Sequence, residues 1–167
     1  TFSLLGFGII GFIDDYLIVV QHSNKGLKPS YKYAMQSVVA IAFYFLAKKF
    51  LPNFSTEIII PIAHISVNLG WFYPVFVYFM FTAESNAVNL TDGLDGLATG
   101  LMIIALTPFV VFAILSKNVE AAIFGAALMG GLTGFLVFNS HPAKIFMGDC
   151  GSLALGGILA AFAVITK

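Results

Sequence analysis

The sequence predicts an all-α integral membrane protein, with about six transmembrane helices and a small β-hairpin outside the bilayer. Three observations predict it. The 167 residues are 59% hydrophobic and 10% charged, against about 45–50% and about 25% in a typical soluble domain. The apolar residues fall into runs near the ~20 residues that cross a bilayer as a helix. The polar residues gather between those runs rather than along them.

Taken in order, the first run occupies residues 2–13 and gives way to Asp14 and Asp15 in GFIDDY. The second occupies 33–51. The third, 71–88, is the most polar, because Glu84, Ser85, Asn86 and Asn89 crowd its end; it crosses only where that end faces a cleft in which protein or water satisfies it. The fourth, fifth and sixth occupy 97–115, 121–138 and 152–165. Between the second and third, residues 56–69 (TEIIIPIAHISVNL) are rich in β-branched side chains on either side of Pro61, Ile62 and Ala63, which predicts two short strands in a hairpin. His64 is expected at its surface. No repeat or low-complexity linker divides the chain, so residues 1–167 are expected to form a single transmembrane domain. The chain opens on Thr1 inside an apolar run and carries no initiator methionine, which suggests the middle of a longer protein extending at both ends.

The charge pattern narrows the function. Eight lysines and no arginine balance eight acids, so there is no basic face for a nucleic acid. The single Cys150 excludes an internal disulfide and is given no role. Because each crossing reverses the side of the membrane, segments 14–32, 84–96 and 139–151 are expected on one face, with 52–70 and 116–120 on the other. Lys25, Lys28, Lys32 and Lys144 fall on the first face, against Lys48, Lys49 and Lys117, which tilts that face toward the cytoplasm.

Five of the eight acids, Asp14, Asp15, Asp92, Asp95 and Asp149, lie in short polar motifs within those three segments, and ionisable groups near a bilayer mark ion paths, proton relays or bound metal. Asp14 and Asp15 are expected at a helix end, where adjacent carboxylates repel unless a cation or proton intervenes; Mg2+ is one remedy, since one or two carboxylates plus substrate phosphates hold it. In NAVNLTDGLDG, Asp92 and Asp95 would share a face if the segment is helical. Asn86 and Asn89 have the same spacing, and Gly93 and Gly96 let a ligand approach the backbone. In NSHPAKIFMGDCGS, Lys144 could bind a phosphate or lipid headgroup or merely snorkel at the interface. Phe146 could be a stacking platform or part of the core, and His141 is more often structural in such a turn. Carboxylates, glycines, amides and a lysine on one side suit a diphosphate substrate at a membrane surface.

GFIDDY, NAVNLTDGLDGLA and HPAKIFMGDCGSLALGG together resemble the phospho-N-acetylmuramoyl-pentapeptide transferases, within the polyprenyl-phosphate N-acetylhexosamine-1-phosphate transferase superfamily. The resemblance runs over essentially the whole chain. It implies a multi-pass enzyme of the bacterial cytoplasmic membrane, with its active site facing the cytoplasm. Such an enzyme transfers phospho-MurNAc-pentapeptide from its UDP carrier to undecaprenyl phosphate, giving lipid I and UMP in peptidoglycan synthesis with Mg2+ as cofactor. By motif matching it implies Asp14, Asp15 and Asp149 as catalytic residues, Asp14 as candidate base and Asp149 as principal metal ligand. Asn89, Asp92, Gly93, Leu94, Asp95, Asn139, Phe146 and Ser152 would line the nucleoside side, with Phe146 on the uracil and Lys144 as a further substrate contact. The hairpin also fits the family, which has one on the periplasmic side. The implied partners are UDP-MurNAc-pentapeptide, undecaprenyl phosphate and the lipid bilayer; a homodimer is compatible with the sequence and not required by it. Ile18 stands where family members often carry a basic residue, and the family's histidine-rich loop has no counterpart in these residues. A sister transferase using UDP-GlcNAc is the nearest alternative. An ion-coupled transporter is a remote one, because its ion sites lie near the bilayer midplane rather than at span ends.

Overall fold

The computed structural model describes residues 1–22, 26–51, 54–60 and 65–166. Among these, six helices follow in chain order: α1 (Phe2–Gln21), α2 (Pro29–Phe50), α3 (Tyr73–Thr91), α4 (Leu97–Leu115), α5 (Val119–Asn139) and α6 (Gly148–Ile165). A short 3-10 turn, Gly70–Phe72, leads into α3. The hairpin is present as β1 (Glu57–Ile60) and β2 (Ile65–Asn68), antiparallel, with Glu57 opposite Asn68 and Ile60 opposite Ile65. Its turn, with His64, lies outside the described residues, as does Lys25.

Four helices, α1, α4, α5 and α6, are long and apolar enough to cross a membrane, and the chain is a multi-pass membrane protein. The other two depart from that composition for visible reasons. α2 carries Lys32, Lys48 and Lys49, and α3 ends in the polar AESNAVNLT. Both are still about 33 and 28 Å long at 1.5 Å per residue, and they pack into the same bundle.

The axis of that bundle is α6, the most buried of the four apolar helices. Its small residues let neighbours approach closely, the usual basis of helix packing in membranes. A side chain at Gly156 would overlap the backbone of Ser85 on α3, and one at Gly157 would run into the Phe7 ring on α1. On the other side of this contact, a side chain at Gly11 of α1 would overlap the Asp149 carbonyl. Phe7, Phe43 and Phe81 tie α1, α2 and α3 together, with ring centroids 5.7 and 4.7 Å apart. A second core of Met102, Leu106, Leu132, Ile158 and Phe162 joins α4 and α5 to α6.

Several boundaries differ from the sequence expectation. α1 does not stop at Ile13 but runs to Gln21, ending where His22 turns left-handed at φ 47°. Two acids do not break a helix, and LIVVQ contains no glycine or proline to do so. Asp14 and Asp15 therefore lie inside α1, about two turns from its end, and α1 overshoots the site they form. α2 starts four residues early, because Pro29 suits the first helical turn, and that places Lys32 in the same turn. α6 starts at Gly148, which puts Asp149 in its first turn. α3 continues to Thr91 and takes Asn86 and Asn89 onto the helix. Residues 92–96 form a turn, so Asp92 and Asp95 do not share a helix face.

Candidate active site

The C-terminal half of α1, the first turn of α2, the last turn of α3 and the first turn of α6 meet at one end of the bundle. At the opposite end, a cavity of about 980 Å³ is bordered by Thr1, Phe50, Leu51, Ser116, Asn118 and Ile165, so the helix ends alternate between the two faces as the polar segments require.

At the meeting point, Lys32 holds two carboxylates at once. Its Nζ donates to Asp14 Oδ2 at 3.2 Å and to Asp149 Oδ2. Asp149 Oδ1 accepts from Asn89 Nδ2 at 2.7 Å, and the same amide reaches Ser152 Oγ at 2.9 Å. Ser152 is buried and donates to the Gly148 carbonyl one turn earlier in α6. Asp14 is buried too, and its Oδ1 accepts from the Leu27 amide. The chain entering α2 folds over this carboxylate so closely that a side chain at Gly26 would strike it.

Asp15 does something different. Neighbouring residues on a helix diverge by about 100°, so Asp15 turns away from Lys32 and toward the start of α6. There its Oδ1 accepts from the Asp149 N–H at 3.2 Å and its Oδ2 from the Cys150 N–H at 2.9 Å. The first turn of a helix leaves such donors unpaired, and Met147 at the cap position provides no side-chain acceptor. A carboxylate from another helix caps them instead. Gly148, at φ +67°, makes room, since a Cβ there would stand 2.8 Å from Asp15 Oδ2.

Asp92 ends α3 beside this cap. Burial pushes its carboxyl above the ordinary carboxylate value; the Gly148 N–H opposes the rise, and the charges of Asp149 and Asp15 add to it. Asp14 and Asp149 share the Lys32 ammonium, and Asp15 and Asp92 stand on the far side of Asp149, so the four carboxylates and one lysine carry a net of −3 when all are ionised. Such a cluster calls for a cation. Asp14 and Asp149 converge on one point, and among the described residues no group of three His, Cys, Asp or Glu side chains does so. Two carboxylates suffice for Mg2+ when substrate phosphates complete its shell, so the donor set fits that ion.

The remaining sequence candidates separate into two groups. Phe146 is 75% exposed and packs into neither core of the described residues, and Gly93, Leu94 and Lys144 are exposed as well. Asp95 and Asn139 are engaged elsewhere. Asp95 Oδ2 accepts from the Ala143 amide and pairs with His141 Nδ1, both at 3.0 Å; the Ala143 N–H first and His141 second hold its carboxyl below the usual range. Asn139 is 3% exposed, accepts from Thr99 Oγ1 at 2.7 Å and donates to the Ile145 carbonyl at 3.0 Å. Both residues brace the loop between α5 and α6. Lys32 is the site residue that sequence reasoning used only for its charge. Pro29 was the available signal, because a helix starting there aims Lys32 back at the acids of the preceding span.

The family model described as glycosyl transferase family 4 matches residues 1–167. A phospho-N-acetylmuramoyl-pentapeptide-transferase of Halalkalibacterium halodurans is 51% identical over 163 residues, which are 98% of this chain and 50% of that protein. The protein of the same name from Bacillus subtilis is 48% identical over 166 residues, 99% of this chain and 51% of the relative. One from Listeria monocytogenes is 49% identical over 163 residues, 98% and 50%. The chain spans about half the length of the curated relatives it matches.

Proposed function

The chain belongs to glycosyl transferase family 4, and from that premise we propose that it carries the phosphate-transfer centre of an enzyme making lipid I. In this reading, phospho-MurNAc-pentapeptide passes from its UDP carrier to undecaprenyl phosphate. An oxygen of the lipid phosphate bonds to the sugar-bearing phosphorus, the bond from that phosphorus to the oxygen of UMP breaks, and UMP leaves. The names of the relatives support phospho-N-acetylmuramoyl-pentapeptide as the group transferred. The observation that carries the chemistry is the convergence of Asp14, Asp149, Lys32 and Asn89 at one end of a membrane bundle.

Lys32 offers the phosphates an ammonium whose place is fixed from two sides. Asp14, tied by the Leu27 amide and Lys32, is the carboxylate that would keep the attacking lipid phosphate ionised by accepting its proton at Oδ2. Asn89 orients Asp149 through Oδ1. Mg2+ is the proposed cofactor, held by Asp149 with Asp14 beside it, and when bound it supplies positive charge against the diphosphate and the departing UMP. Phe146, with its ring exposed among the described residues, would take the uracil. The site would face the cytoplasm, where a soluble sugar nucleotide and an inner-membrane lipid meet.

The test is UMP release by the enzyme at the relatives' full length, with undecaprenyl phosphate and either UDP-MurNAc-pentapeptide or UDP-GlcNAc. Release from the first alone is expected. Release from UDP-GlcNAc alone would replace this reading with the sister transferase. Asp149→Asn should lower kcat on the order of 10²-fold, the scale of losing one preorganised electrostatic group, with the melting temperature intact; near wild-type turnover at limiting Mg2+ would remove Asp149 from the metal.

A further inference from the structure

One turn deeper in the bundle than the carboxylate cluster, α2 and α3 are joined by a second polar contact. Gln36 is 0% exposed, and its Oε1 accepts from Asn86 Nδ2 at 2.9 Å. Asn86 Nδ2 also donates to the Thr82 carbonyl at 2.7 Å. That second bond fixes the direction of both amides. Turning Asn86 over would set its oxygen against the Thr82 carbonyl, and turning Gln36 over would set two NH2 groups face to face. Among the described residues Gln36 Nε2 is therefore left buried without an acceptor, which costs stability that an apolar side chain of similar size would not.

The placement of this pair gives it a use. Gln36 follows Lys32 by four residues on α2, and Asn86 precedes Asn89 by three on α3. Those spacings keep each pair on one helix face. Lys32 and Asn89 are the two side chains that hold Asp149, one on Oδ2 and the other on Oδ1. We propose that Gln36 and Asn86 are positioning residues, a polar rung that sets the spacing and rotation of α2 against α3 so that Lys32 and Asn89 grip opposite oxygens of Asp149. The aromatic contacts between these helices, Phe43 on Phe81 and Tyr44 on Tyr73, lie a turn or more farther from Asp149 than the amide pair does. The rung rests on the transferase reading only for its kinetic readout.

The experiment uses the enzyme at the relatives' full length in detergent. Gln36→Leu should lower kcat by about tenfold or more while the KM for the UDP-sugar stays within about twofold, the pattern of a misplaced catalytic group. Its melting temperature should hold or rise, because the unpaired amide is gone. Gln36→Asn should fall in kcat likewise. The double exchange Gln36→Asn with Asn86→Gln moves the missing methylene to the partner and should return kcat to within about threefold of wild type. In the same samples, reductive methylation of Lys32 by formaldehyde, read by mass spectrometry, should be faster in Gln36→Leu and slow again in the double exchange. Unchanged kcat and unchanged Lys32 methylation in Gln36→Leu would overturn the rung. So would a loss of kcat that only tracks a falling melting temperature and is not recovered by the exchange. If the wild type releases no UMP, the transferase reading falls and methylation alone decides: a faster rate in Gln36→Leu upholds the rung, and an equal rate ends it.

Discussion

At Phe146 the ring is exposed among the described residues, three residues before the aspartate proposed to hold Mg2+, and a flat face there can stack on a uracil. Stacking of this kind contributes roughly 1–3 kcal/mol, so Phe146→Leu should weaken the UDP-sugar by about 5- to 150-fold. The melting temperature and the affinity for undecaprenyl phosphate should stay as in wild type, and an unaltered UDP-sugar affinity would take Phe146 out of the site. Asp92 gives a pH test. Its folded carboxyl is raised above the unfolded value by burial and by Asp149 and Asp15. Ionising it therefore opposes folding, with a penalty absent below the unfolded value near 3.8 that builds as pH rises through the folded value. Asp92→Asn should melt higher than wild type at pH 7 and no higher at pH 3.5, measured by thermal denaturation; a gain at pH 3.5 equal to that at pH 7 would show that charge is not its source. Of the site, Asp14, Asp149 and Asn89 were legible because acids and amides stand out in so apolar a chain. Lys32 was not, since a lone lysine in a loop-like stretch looks the same whether it faces solvent or two carboxylates.

The elements show how a helix can depend on a residue far away in sequence. Asp15 caps the first turn of α6, and losing a cap costs about 0.5–2 kcal/mol. Asp15→Ala should lower the melting temperature and speed proteolysis at residues 145–150, and an unchanged melting temperature would show that the cap adds nothing. A sequence reading cannot see such a cap, because capping rules look within three or four residues of the helix start. The reading of residues 97–115 as one helix coincided with α4 for the converse reason. Gly96 at φ +74° before it and Lys117 at φ 59° after it are local stops. At α1 the acids looked like a stop and were not, because charge is tolerated in a helix whose neighbours neutralise it.

For the whole molecule, the alternation of helix ends predicts which loops share a side of the membrane. In a Cys150→Ser background, Gly93→Cys and Lys144→Cys should react with an impermeant thiol reagent from one side, and Asn118→Cys from the other. These positions are exposed or loop residues outside the carboxylate cluster, whereas Asp15 and Gly148 are committed to the cap and would disturb it. Labelling of Gly93→Cys and Asn118→Cys from the same side would sink the alternation. The number of helices and the shared face were legible, because both follow from run length and counting. The packing of α1 and α3 onto α6 was not, since it depends on which glycines meet which backbones. The cap also bears on how the chain is born. Asp15 and the amides that it holds are separated by 134 and 135 residues, about 7 to 27 s of synthesis at roughly 5–20 residues per second. Throughout that interval the nascent chain carries an acidic pair whose second member has none of its native donors. Helix α6 brings those donors together with the aspartate that completes the site, so a chain cut short before α6 is left with neither.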